Sequence, residues 1–291
     1  MNEIDQRNSD RGAEPQFPAA NPTALPPSQF SAPVPEAKPI APAWHTVFLV
    51  LIILAVSFLG VYRHTGARGA RPVSRLDTYA VTGLLELALV GWVAFGLRLR
   101  RIPLRSLFGA VPNDPGSIFR DVGIALVFWI GSLMALGTVG AAWLSIETAI
   151  THRHLPIHSS QPFAPDPQQQ QTLRTVLQLA PSNGREIAAW VLLCLLVGVA
   201  EELVFRGYLQ RQFTAWGRGA PAAGVVFSAL MFGSAHGYEG IRNMFLLSIF
   251  GALFSLLALY RRSLRAGMFA HSWHDLVAGL TLAFLHSRHL L

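Results

Sequence analysis

Charge is what this chain has least of. Only 13% of its 291 residues are Asp, Glu, Lys or Arg, where a water-facing globular domain carries about a quarter. That deficit excludes an ordinary soluble domain. Lysine is nearly absent: Lys38 stands alone and every other basic residue is arginine. The formal charge of +7 therefore rests on arginines lying mostly between apolar runs, where they meet lipid headgroups and set topology. No basic face on a folded soluble module is visible, which argues against nucleic acid as a partner. Cys194 is the one cysteine, so no intrachain disulfide can form. Its place among leucines is that of a packing thiol, since a nucleophilic Cys needs an electropositive, accessible setting. The chain also contains neither Gly-x-Ser-x-Gly nor His-Glu-x-x-His, which removes the serine-hydrolase elbow and the zinc-protease helix.

Apolar residues make up 52% of the chain and fall in long runs. Residues 1–43 are the exception, polar and rich in Pro, Ala, Ser and Asn. They read as a disordered tail outside the membrane, with polyproline character. Seven apolar runs follow, judged by the roughly 20 residues a helix needs to cross a bilayer. They are Trp44–Tyr62, Thr78–Leu97, Val122–Ile146, Ile187–Arg211, Ala220–His236, Asn243–Tyr260 and Ala266–Leu285. None alternates with period two, so the expected fold class is all-α: a polytopic transmembrane helical bundle of about seven helices over 44–291. Glu147 to Arg185 reads as a long exposed loop holding His152, His154 and His158, with a short amphipathic helix expected near Thr172–Leu179. Counting arginines on alternate sides favours a cytosolic N-terminus by a small margin.

The fourth run carries Glu201, Glu202 and Arg206 at its far end. A charge near the bilayer centre costs about 2.5–3.5 kcal/mol on insertion scales, so an ionisable group there marks a functional site by default. Glu202 and Arg206 are i and i+4 and can pair on one helix face. Glu201 points about 100° away and has no local partner. The fifth run gives His236, four residues after Phe232, and the seventh gives His271 with Asp275 four residues on. His274 points elsewhere, and Glu86 in the second run reads as a packed acid. Polar groups in hydrocarbon must find each other or water, so these three runs are expected around one wet cavity. A carboxylate with two imidazoles is a water-activating set. Glu takes a proton from water, one His shares that water and later protonates the leaving amine, and donors on another helix hold an oxyanion.

Glu201-Glu202-x-x-x-Arg206, Phe232-x-x-x-His236 and His271-x-x-x-Asp275, in that order on three helices, resemble the motifs of the CPBP family. These are the CAAX-processing and bacteriocin-processing intramembrane proteases, also called the Abi family. The resemblance covers about residues 185–285. It implies a helical-bundle protease core and a metal-independent glutamic endopeptidase without cofactor, similar to CAAX prenyl protease 2. By motif position it implies Glu201 as catalytic base and His236 sharing the nucleophilic water. It likewise implies His271 and Asp275 as the oxyanion-stabilising pair, with Glu202 and Arg206 in support. Prenyl-processing members usually carry Asn where this chain has Asp275. An ionised Asp only accepts hydrogen bonds, so Asp275 is either protonated or orients a histidine.

Three other readings use the same residues. Glu201, His236 and His271 form a zinc site in a zinc-dependent membrane protease. A non-proteolytic scaffold or bacteriocin-immunity-type protein keeps the fold for binding. A transporter uses intramembrane acids as a proton relay, but the broken helix pair it needs is not visible. The expected partners are the lipid bilayer and a membrane-associated protein or peptide. The expected location is multi-pass, in the cytoplasmic membrane of a bacterium.

Overall fold

Helix ends in this chain follow local chemistry. The computed structural model describes residues 38–66, 74–109, 114, 116–151, 173 and 176–288. Helix α1 (Ala43–Gly66) starts directly after Pro42, and α2 (Arg75–Leu99) stops before Arg101, whose φ of 58° breaks the helix. A 3₁₀ turn, Leu104–Phe108, leads towards α3 (Gly116–Thr151). At the start of α4 (Gly184–Glu201), the Asn183 side chain accepts from the Glu186 N–H at 3.0 Å. The Glu186 carboxylate in turn takes the Ser182 N–H at 2.8 Å, a reciprocal cap. The rod continues through a π-helix, Glu202–Leu209, into α5 (Gln210–Trp216). Helix α6 (Pro221–Ala235) opens on proline, whose missing N–H costs nothing in a first turn. A 3₁₀ turn, Gly237–Glu239, then α7 (Ile241–Arg261) and α8 (Arg265–Ser287) complete the described order.

Helix α4 lies between α2 and α8. Helix α3 packs on α7 and α8, α6 pairs with α7 and α5, and α1 lies against α6 and the turn that follows it. The buried core gathers round the π-helix, where Phe205 and Tyr208 meet Phe232, Phe250, Phe254 and Met268. Large apolar side chains also point outward, among them Phe119 at 79% and Tyr260 at 82% exposure, as a lipid-facing surface requires. Among the described residues the only extended pairing is an isolated bridge between Gly109 and Ser263. The chain is an all-α, multi-pass integral membrane protein.

The spans differ from expectation in three places. Among the described residues five helical stretches are long and apolar enough to cross a membrane: Ala43–Tyr62, Arg75–Leu99, Gly116–Ile150, Gly184–Trp216 and Ile241–Arg261. Helix α6 has 15 residues, about 22 Å at 1.5 Å per residue against a hydrocarbon core of about 30 Å. It is a partial span ending at His236. Helix α8 is long enough, but Arg265, His271, His274 and Asp275 dilute its apolar run and it is not among the five. Helix α3 overruns Val122–Ile146 at both ends and draws Glu147 into helix. His152, His154 and His158 lie outside the described residues, as do residues 1–37 of the expected tail. Near Thr172–Leu179 only Leu173 and 176–179 are described, and these are helical. Residues 40 and 41 are held down: both N–H groups donate to Gln212 Oε1, at 2.9 and 3.2 Å, and the Gln212 amide returns a bond to Ala41 O at 2.9 Å.

Small residues let α4 and α8 touch. A Cβ at Gly198 would lie 2.6 Å from the Ser272 backbone nitrogen. Gly198→Leu is expected to push the two helices apart at a cost of about 1–3 kcal/mol. Gly91→Leu, which meets nothing within 4 Å, serves as the control. Thermal unfolding in detergent reads both, and an unchanged midpoint for Gly198→Leu would show the contact to be slack.

Candidate active site

His271 is the centre of the site, gripped on both sides by acids from α4 and the π-helix. Its Nδ1 lies 3.1 Å from Glu202 Oε1, and its Nε2 lies 3.4 Å from Glu201 Oε2 and 3.9 Å from Asp275 Oδ2. The two glutamates, about 100° apart on the rod, thus meet one imidazole through opposite nitrogens instead of serving separate partners. Of these contacts only that of Nδ1 with Glu202 is a hydrogen bond; Nε2 lies near Glu201 without making one. The Glu201 Oε2 atom is buried and makes no hydrogen bond among the described residues.

Beneath this layer Glu202 and Arg206 form the i, i+4 pair read from the sequence, with Nη1 and Oε1 2.9 Å apart and both side chains almost fully buried. Arg206 Nη1 makes no aligned hydrogen bond, so the contact is a charge pair more than a directed bond. The guanidinium donates to Gly251 O at 3.3 Å and lies 4.4 Å above the Phe232 ring and 5.1 Å from that of Phe254. The π-helix buries every residue from Glu202 to Leu209. A widened turn packed on all sides can aim Glu202 and Arg206 at α7 and α8 while Phe205 and Tyr208 fill the other directions. Such turns occur frequently at functional sites.

His236 stands one ring away. Its Nδ1 lies 2.9 Å from Phe232 O. A carbonyl only accepts, so Nδ1 carries the hydrogen and Nε2 of the neutral ring keeps its lone pair. The Phe232 ring touches both histidines, 5.0 Å from His236 and 5.8 Å from His271 between centroids. His236 acts electrostatically on Asp275 and on Glu239. Burial raises the Glu239 carboxyl above the ordinary carboxylate range, with the His236 charge pulling the other way. His274 leaves the cluster, accepting from Trp129 Nε1 at 3.3 Å and lying 4.9 Å from the Phe250 ring.

Sequence reasoning missed two acids. Glu239 follows His236 in a Gly-Tyr-Glu-Gly turn, and its distance of three residues from a motif histidine was the available signal. Glu86, expected to rest against an Arg or a backbone group, instead leaves Oε2 buried without a hydrogen-bond partner. The site residues also include no group of three His, Cys, Asp or Glu side chains placed to hold a metal ion, among the described residues.

Residues 183–277 match the family described as type II CAAX prenyl endopeptidase, Rce1-like. The match runs from the cap of α4 to just beyond Asp275. It contains Glu201, Glu202, Arg206, His236, His271 and Asp275, and it leaves out Glu86. No curated protein and no solved structure matches the chain.

Proposed function

We propose that this chain is a glutamic intramembrane endopeptidase that hydrolyses a peptide bond of a membrane-associated substrate with activated water. One observation carries the reading: the buried Glu201 Oε2, without a hydrogen bond of its own, lies 3.4 Å from His271 Nε2. Glu201 takes a proton from water, and His236 Nε2 accepts a second hydrogen bond from the same water. The resulting hydroxide adds to the carbonyl carbon. Charge on the carbonyl oxygen then develops beside His271, in a site from which water is largely excluded and where fixed charge acts strongly. Asp275, one helical turn from His271 on α8, sets the orientation of that ring, which is the second of the two roles open to it. Glu202 and Arg206 hold His271 from below. The proposed chemistry runs on these side chains and water alone, with His271 Nδ1 held by Glu202.

The substrate class follows the matched family, a prenylated C-terminal CAAX peptide. Purified protein in lipid vesicles, given a prenylated CAAX peptide and its unprenylated counterpart, is expected to cleave the first faster, as read by mass spectrometry. His236→Ala should lower kcat about 10²-fold. A chelator should leave the rate unchanged. Inhibition by chelator with recovery on added zinc would move the chemistry to a metal, and cleavage of neither peptide would remove the peptidase reading.

A further inference from the structure

Helices α2 and α4 run parallel, and their contacts descend in step. Arg75 meets Glu186 at 3.4 Å, the Tyr79 ring lies 5.4 Å from that of Trp190, and a Cβ on Gly83 would touch Leu193 and Leu196. Continued by one turn, that register brings Glu86 towards the turn of α4 that ends at Glu201, whose charge acts on it. Glu86 is 7% exposed, and its Oε2 has no hydrogen-bond partner among the described residues. Among the described residues no arginine or histidine forms an ion pair with it. The charges that act on it belong to Glu201, His271 and Asp275, two acids against one base. From the π-helix, Glu202 and Arg206 are spent on each other. From α1, His45 is held by Trp92 O at 2.9 Å and Tyr208 OH at 2.8 Å. An ionised carboxylate left buried without its own counter-charge is costly by several kcal/mol.

We propose that Glu86 is a proton carrier of the same site, kept as the neutral acid, which protonates the leaving nitrogen and is reloaded from Glu201. The inference rests on the peptidase reading. Water gives one proton to Glu201 as its oxygen bonds to the carbonyl carbon. The tetrahedral intermediate then breaks its C–N bond, the electron pair goes to nitrogen, and nitrogen takes the Glu86 proton. The Glu86 carboxylate takes the proton that Glu201 collected. Both acids end as they began, and one water is consumed.

Glu86→Gln keeps the size and neutrality of the protonated side chain but has no proton to release. In the vesicle assay it is expected to lower kcat about 10²-fold with KM unchanged and to alter the alkaline limb of the pH–rate profile, while Glu86→Asp recovers part of the rate. A role in packing alone would leave all three unmoved. Infrared spectroscopy of the protein in lipid gives a readout independent of cleavage: a carboxylic-acid carbonyl band at neutral pH, lost in Glu86→Gln and retained in Glu201→Gln. Wild-type cleavage with unaltered Glu86→Gln kinetics, or absence of the band, overturns the inference. A wild type that shows the band but cleaves nothing overturns the peptidase reading and leaves the protonated Glu86 standing.

Discussion

Glu201→Gln is expected to lower kcat about 10³-fold while leaving the protein folded. Gln keeps the length, volume and one acceptor oxygen of the native side chain. It cannot take a proton from water at any pH where the bundle survives. Little structure depends on the lost charge, because Glu201 Oε2 makes no hydrogen bond and the 3.4 Å approach to His271 is loose. His271 keeps its shorter contact, 3.1 Å to Glu202, so its position should hold. Size-exclusion elution and the unfolding midpoint in detergent check the fold, and mass spectrometry of the peptide checks the chemistry. Wild-type activity in this variant would place the base elsewhere, with Glu239 beside His236 the first alternative. Glu202→Gln makes the contrast sharp. It weakens the counter-charge of buried Arg206 and loosens His271, so stability and activity should fall together.

That contrast shows which parts of the site the sequence makes legible. Charges in an apolar run are costly enough to stand out, so Glu201, Glu202, Arg206, His271 and Asp275 could be named before any geometry. Their spacings of four residues also forecast which helix faces they share. The π-helix was not legible. Nothing in Glu-Leu-Val-Phe-Arg-Gly-Tyr-Leu marks an extra residue in the turn. The short reach of α6 was hidden for another reason: Ala220–His236 is apolar to its end, and only the left-handed Gly240, at φ 87°, and the turn before it show where the helix stops. Glu86 was illegible for want of a local partner. An acid with only Thr82, Gly83 and apolar neighbours a turn away in its own helix reads as isolated. Its true neighbours sit more than a hundred residues along the chain and come into range through the pairing of α2 with α4. The buried His45–Tyr208–Thr46 contacts, each near 2.8 Å, escaped for the same reason. They pin α1 to the π-helix, and so connect the first span to the segment that shapes the site.

Arg206→Met is expected to destabilise the bundle by about 3–5 kcal/mol, the usual cost of stranding one partner of a buried ion pair. Methionine fills similar volume and packs well against aromatic rings, so the shelf between Phe232 and Phe254 stays occupied. What disappears is the charge opposite Glu202, the bond to Gly251 O at 3.3 Å and the cation's attraction to two ring faces. Glu202 then has His271 as its only counter-charge and draws harder on Nδ1, which turns the ring away from Glu201. Activity should therefore fall even in the fraction that remains folded. The double variant Glu202→Leu, Arg206→Met separates charge from packing. With both ions gone no buried charge is stranded, so it should recover much of the lost stability, since apolar replacements of buried pairs are often neutral or better. Activity should not return, because nothing then holds His271 at Nδ1. Unfolding midpoints of Glu202→Leu, Arg206→Met and the double variant in one detergent complete the cycle. Additive losses would mean that Glu202 and Arg206 stabilise the fold independently, and that the 2.9 Å contact between them contributes nothing of its own.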